Sequence, residues 1–191
     1  MDNAVDRALT AAPDTTRAVL SIGSNMEDRW ALLRTVTREF TGQIVAISRV
    51  YSTPPWGVED QAEFLNAVVI VEVPEEPLAL LRRCQKLEEE AQRVRVRTWG
   101  PRTLDVDVVQ AHRGGREVLS ADPVLTLPHP WAHQRAFVLV PWAEADPAAR
   151  LNGEPVAHWL GALPEGEAEQ IVPLGPLDSA AGENEAEEAR P

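Results

Sequence analysis

The period of the apolar positions changes several times along this chain, and each change marks an element. "RAVLSIG" (17–23) has strand character and stops at a glycine. In "SNMEDRWALLRTVTREF" (24–40), Trp30, Leu33, Val36 and Phe40 recur at helical spacing, which predicts an amphipathic helix. "QIVAISRVYST" (43–53) is a β-rich run, "PPWGVEDQ" (54–61) a proline- and glycine-punctuated loop, and "FLNAVVIVEV" (64–73) a second strand. "PEEPLALLRRCQKLEEEAQR" (74–93) predicts a second helix, with proline and acids at its start, as the helix dipole favours. "VRVRTWGPRT" (94–103) is a basic loop and "LDVDVVQA" (104–111) a third strand. "HRGGREVLS" (112–120) predicts a hairpin with the glycine pair as its turn. "LTLPHPWAHQR" (125–135) is a Pro/His-rich loop, "AFVLVPWAEADP" (136–147) a short helix ending before Pro147, and "EPVAHWLGAL" (154–163) one more helix.

The order β-α-β-β-α-β predicts an α+β fold: a ferredoxin-like core with an antiparallel-rich sheet, flanking helices and C-terminal additions. The 191 residues suit one domain over 17–175. A loose leader over 1–16 and an unordered acidic tail over 176–191 are expected at its ends, because "DSAAGENEAEEARP" has too few apolar groups to order itself. The composition, 44% hydrophobic and 25% charged, is that of a soluble globule. A net charge of -12 argues against binding nucleic acid through an overall field, while leaving room for a local basic pocket for a small anion. With one cysteine, Cys84, there is no internal disulfide and no cysteine cluster for zinc; its helical spacing from Leu80, Leu81 and Leu87 makes it a small core thiol. No apolar run is long enough to span a membrane and the N-terminus lacks a secretion signal's apolar centre, so a cytoplasmic location is the expectation.

The chemistry gathers in three stretches. Alternation along a strand puts Asp105 and Asp107 on one face, about 7 Å apart at their roots, with Leu104, Val106 and Val108 on the other. Like charges that close repel unless a cation lies between them, and carboxylates with open positions beside them suit Mg²⁺ bound to substrate phosphates. Arg93, Arg95, Arg97 and Arg102 lie just upstream, and guanidinium groups bind phosphate oxygens bidentately. Pairing with Glu88, Glu89 and Glu90 is the competing use of those arginines, and solvent exposure the competing use of the aspartates. Trp99 beside Gly100 suits a mobile loop that closes over a ligand, or a core tryptophan. No Walker-type glycine loop is present, and Gly23-Ser24 lies too far from Asp105 for a nucleotidyltransferase pair. In the second stretch, Phe64 and Asn66 share a strand face after a Pro-Pro turn, an aromatic plane beside an amide that suits a flat heterocycle. The third supplies His129, Arg135 and Phe137, with the histidine held between two prolines.

Taken together, "SIGSN", "YSTPPWGVEDQAEFLNAVV", "RVRVRTWGPRTLDVDVV" and "LTLPHPWAHQRAFVLVPWAEADP" resemble the 6-hydroxymethyl-7,8-dihydropterin pyrophosphokinase family of folate biosynthesis, in family order from about residue 18 to residue 147. The resemblance implies transfer of diphosphate from ATP to the pterin hydroxymethyl group, leaving AMP, with two Mg²⁺ ions held by Asp105 and Asp107. It implies a pterin held by Phe64, Phe137 and Asn66 with Thr53, Pro54 and Trp56. It implies an ATP site of Gln85, Glu88, Arg95, Trp99, Arg102, Val108, Thr126, His129 and Arg135, with Arg93 and Arg95 on a catalytic loop. ATP and the pterin are the implied partners; no nucleic acid, membrane or obligate protein partner is implied. A non-catalytic ferredoxin-like module that binds a nucleotide or a partner is the alternative.

Overall fold

A computed structural model of the chain describes residues 14–26, 28–54, 62–91 and 104–178. In chain order the elements are β1 (Thr16–Ser24), α1 (Arg29–Glu39), β2 (Ile44–Ile47), β3 (Val50–Thr53), β4 (Phe64–Val73), α2 (Pro77–Glu90), β5 (Asp105–Arg113), β6 (Arg116–Glu117), β7 (Ser120–Asp122) and β8 (Leu125–Leu127). They continue with α3 (Ala136–Ala145), β9 (Arg150–Leu151), β10 (Glu154–Pro155), α4 (Val156–Ala162) and β11 (Val172–Gly175). The main sheet has seven strands in the order β11-β3-β4-β1-β5-β6, with β2 also on β4, and its pairings are antiparallel. The expected β-α-β-β-α-β core is present in β1, α1, β2/β3, β4, α2 and β5.

The sheet is buried on both faces because its central strands carry apolar side chains on both. Leu65, Ala67, Val69 and Val71 of β4 join Trp30, Leu33, Val36 and Phe40 of the α1 region and Leu80, Cys84 and Leu87 of α2 in one cluster. On the opposite face Val19, Val68, Ile70 and Val109 pack with Val138, Leu139 and Trp142 of α3 and Val156 of α4. Local signals set the helix starts. Asp28 caps α1 by accepting from the Ala31 N–H at 2.9 Å, and Pro77, whose missing N–H costs nothing in a first turn, opens α2. Cys84 is fully buried, and burial pushes its thiol up to about 12, as an inert core group requires.

Two features of the sheet differ from the linear reading. The run 43–53 is two strands, not one. At the break, the Ser48 hydroxyl accepts from the Val68 N–H at 2.9 Å and donates to the Arg49 carbonyl at 2.7 Å, doing in the gap what ladder bonds do on either side. The second is β11, for which the apolar pattern signals no strand. It becomes an edge strand because β3 offers an unpaired side, and Val172, Pro173 and Leu174 remain exposed there. Leu177, two residues past the expected domain boundary at 175, is 3% exposed in the core. The Arg113–Arg116 hairpin forms as predicted, with Gly114 at φ 57° and Gly115 at φ 75°, the pair of left-handed residues that a tight primed turn requires.

Candidate active site

One lateral row of the sheet organises the site. Gly23 on β1 faces Asn66 of β4 on one side and Asp105 of β5 on the other, and Asn66 in turn faces Tyr51 of β3. Directly opposed residues project to the same face. Asn66 and Asp105 thus stand on one surface two strand spacings apart, about 10 Å. One row further along, Asp107 faces Ser21. Asp105 and Asp107 are half-buried on this face, while Leu104, Val106 and Val108 are buried in the core beneath it, as the alternation predicts.

A bulge in β5 shapes the side that carries the acid pair. Val19 opposes Gln110 and Leu20 opposes Val108, so Val109 is an extra residue. Its carbonyl accepts the His129 N–H at 2.7 Å, which pins the histidine beside the acid pair. The His129 Nδ1 accepts from the Trp131 N–H at 3.2 Å, so in the neutral ring the proton lies on Nε2, 3.9 Å from Asp107 Oδ2. Burial, and then the nearby Arg135 charge, push His129 down to about 4; it is neutral near pH 7. Arg135 is 8% exposed at the N-cap of α3 and donates to Asp107 Oδ2 at 3.4 Å. Glu88 on α2 accepts the Val106 N–H through Oε1 at 3.0 Å, tying that helix to the open edge of β5. Thr126 donates to the Asp122 carbonyl at 3.0 Å, and Gln85 is half-buried on α2. Val108 is 4% exposed, with its side chain in the core on the other face.

On the other side of Gly23, Asn66 is 6% exposed and its Nδ2 donates to Thr53 Oγ1 at 2.6 Å. Thr53 directly opposes Phe64, so Phe64, Asn66 and Thr53 form one group at the open end of β3 and β4. Pro54 is exposed just beyond. Phe137, in the first turn of α3, is half-buried against the apolar clusters on this face, and the Arg135 guanidinium lies 5.6 Å from its ring centroid. Pro141 has no N–H to give the Phe137 carbonyl, which therefore receives no helical hydrogen bond. The fold thus brings Asp107, His129 and Arg135 together, with Phe137 beside Arg135, and groups Thr53, Phe64 and Asn66. Trp56, Arg93, Arg95, Trp99 and Arg102 lie outside the described residues.

Gly23 and the bulge at Val109 are the parts that reading the chain missed. A Cβ on Gly23 would overlap Asn66 Oδ1 and lie 3.5 Å from Asn66 Cγ, so the glycine is the space in which the amide lies. An isolated glycine inside a strand pattern is the signal that marks such an approach.

A carboxylate pair set against a buried arginine and a neutral histidine, on an antiparallel sheet flanked by helices, has the donor set of an α+β phosphotransferase. The family model described as 7,8-dihydro-6-hydroxymethylpterin-pyrophosphokinase (HPPK) matches residues 19–147. The 2-amino-4-hydroxy-6-hydroxymethyldihydropteridine pyrophosphokinase of Mycobacterium tuberculosis (strain ATCC 25618 / H37Rv) is 43% identical over 166 residues, covering 82% of this chain and 88% of that protein. Its namesake in Mycobacterium leprae is 50% identical over 144 residues, 72% of this chain and 75% of that protein. The Methylorubrum extorquens protein of that name is 41% identical over 160 residues, 82% of this chain and 99% of its own length. The HPPK-DHPS protein of Plasmodium falciparum crystallised with pteroate superposes with a TM-score of 0.58 at 13% identity, covering 81% of this chain and 43% of that one, and shares the fold. The chain belongs to the 7,8-dihydro-6-hydroxymethylpterin-pyrophosphokinase family.

Proposed function

We propose that the face bearing Asp105 and Asp107 is where this chain, as an ATP-dependent pyrophosphokinase, moves the terminal diphosphate of ATP to the hydroxymethyl group of 6-hydroxymethyl-7,8-dihydropterin, a step of folate biosynthesis that leaves AMP. The observation that carries this placement is the row Asn66–Gly23–Asp105. It sets a hydrogen-bonding amide about 10 Å from a carboxylate pair on one face of the sheet, a spacing that suits a pterin at one end and the phosphates to be transferred at the other.

The pterin lies at the Phe64, Asn66, Thr53 and Phe137 end, where the rings supply stacking surface and Asn66, oriented by Thr53, reads a polar edge. The family resemblance assigns Pro54 and Trp56 to the pterin as well. ATP lies at the β5 end. His129 keeps an Nε2–H as a neutral donor, and Arg135 brings a positive charge to Asp107 and to any phosphate beside it. The family resemblance assigns Gln85, Glu88, Thr126 and the main chain of Val108 to the nucleotide, and Arg93, Arg95, Trp99 and Arg102 of the basic loop with them. The donor set suits Mg²⁺. Asp105 and Asp107 offer carboxylate oxygens only, on one half-open face, and no group of three or more His, Cys, Asp or Glu that could hold a metal occurs among the described residues, so phosphate and water oxygens would fill the remaining positions. Two such ions, when bound, would neutralise charge that builds on the phosphate oxygens during transfer. The chain's own share is to hold the two substrates in line and to keep cationic donors beside the transferred group.

Among the described residues no helix is long and apolar enough to cross a membrane, and ATP as co-substrate favours a cytoplasmic enzyme. Product analysis tests the reaction: with ATP, Mg²⁺ and the pterin the chain should release AMP in step with pterin diphosphate. ADP as the nucleotide product would make it an ordinary kinase, and ATP binding without product would make it a binding module.

A further inference from the structure

The Glu144 carboxylate, on the last turn of α3, ties that helix to the break between β2 and β3. It accepts the Arg49 N–H at 2.8 Å on Oε1. On Oε2 it accepts the Arg49 guanidinium at 3.0 and 2.9 Å, and the Tyr51 hydroxyl. Arg49 and Glu144 are 50% and 28% exposed, whereas Tyr51 is 3% exposed. Burial acts to raise the Glu144 carboxyl, but its bonds from Arg49 and Tyr51 outweigh burial and hold it below the usual carboxylate range. Burial, then the bond to Glu144, push Tyr51 up to about 12, so its hydroxyl is a permanent donor.

The two tethered elements are those that hold opposite sides of the pterin end. Tyr51 opposes Asn66 directly, and β3 ends in Thr53, which orients the Asn66 amide. Ala136, Val140 and Glu144 recur every four residues along α3 and so share one face of it. Ala136 clusters with Tyr51 and Ile171, and Val140 and Phe137 pack against that cluster. Stacking needs a defined gap between ring and amide, and misplacement by about 1 Å is enough to cost a large factor in rate.

We infer that Glu144, through Arg49 and Tyr51, is a positioning residue for the pterin: it fixes the distance between Phe137 on α3 and Asn66 on the sheet. The inference rests on the placement of the pterin at Phe64, Asn66 and Phe137. It requires that Glu144 act on pterin affinity from the far end of the helix, without touching substrate, and leave nucleotide affinity nearly unchanged, since Arg135 at the other end of α3 is held by Asp107.

Glu144→Gln keeps the size and removes the charge, and Tyr51→Phe keeps the ring and removes one donor. Each should raise the pterin KM about 10-fold or more, with ATP Kd changed less than 2-fold and kcat lowered less than the KM rises. Glu144→Asp should recover part of the loss by keeping the charge. Arg83→Ala, which breaks ion pairs to Glu39 and Glu75 on the other side of the sheet, serves as the control for lost stability; it should lower Tm without raising the pterin KM. Assays run well below every variant's Tm separate placement from unfolding. A lower Tm with unchanged pterin KM in both Glu144→Gln and Tyr51→Phe would reduce the network to a structural brace and overturn the inference. If Phe137→Ala and Asn66→Ala also left pterin affinity unchanged, the pterin placement itself would fall.

Discussion

Gly23→Ala isolates one methyl group at the meeting point of the two halves of the site. The φ of Gly23 is not left-handed, so alanine is unstrained there, and alanine in a strand interior is worth about 0.5–1 kcal/mol over glycine. Against that gain, the new Cβ overlaps Asn66 Oδ1. The amide is the movable end of a side chain, so it swings aside and the strand holds. The swing breaks the 2.6 Å bond to Thr53 Oγ1 in a pair of residues that are 6% and 2% exposed. A buried bond lost with its partners unsatisfied costs about 1–3 kcal/mol. The net loss of stability is therefore about 0–2.5 kcal/mol, a fall in Tm of about 10 °C at most in a chain of this size. With the pterin placed at Asn66 as proposed, its loss is larger, because the amide no longer points at its edge: one or two hydrogen bonds at about 1–1.5 kcal/mol each give roughly 5- to 150-fold weaker binding. Pterin and ATP titrations by calorimetry, beside a thermal melt, check this. Pterin affinity should fall while ATP affinity stays within about 2-fold. Wild-type pterin affinity in a folded Gly23→Ala chain would refute the assignment of Asn66 to the pterin edge.

Asp105→Asn and Asp107→Asn should each abolish diphosphate transfer at ordinary Mg²⁺ while circular dichroism stays native; near-normal turnover in either would remove the acid pair from the reaction. Asp107→Asn should be the less stable of the two by about 1–2 kcal/mol, because it removes the charge of the carboxylate to which Arg135, 8% exposed, donates. Phe137→Ala should weaken pterin and spare ATP, and equal weakening of both ligands would make Phe137 a core residue only. Glu144 sets a pH dependence. Its carboxyl lies below the usual range in the folded chain, so the stability it adds is fully present above the unfolded carboxylate pKa, about 4.3, and is lost as pH falls below that through the folded value. Acid denaturation of Glu144→Gln should accordingly show a shallower loss below about pH 4.3 than the parent chain, and identical acid limbs would contradict the network.

Periodicity alone determined much of this protein. The spacing of Trp30, Leu33, Val36 and Phe40, the apolar run of β4, and Leu104, Val106 and Val108 beneath Asp105 and Asp107 are local patterns in which each residue declares its own face. The motif residues were equally legible, since Asp105, Asp107, Asn66, His129, Arg135 and Phe137 could be named before any fold was known. Tertiary structure alone decided which of them meet. Asn66 and Asp105 are neighbours because β4 and β5 both pair with β1 at Gly23, a register that nothing local encodes. His129 reaches Asp107 because a bulge frees the Val109 carbonyl, and a bulge is a mismatch between two strands rather than a property of either. Glu144 and Tyr51, 93 residues apart, carry no shared signal; their bond exists because α3 lies across the end of β3. The strand at 172–175 forms for the same kind of reason. Its own sequence is a weak strand signal, and the unpaired edge of β3 supplies the hydrogen bonds that its composition does not predict.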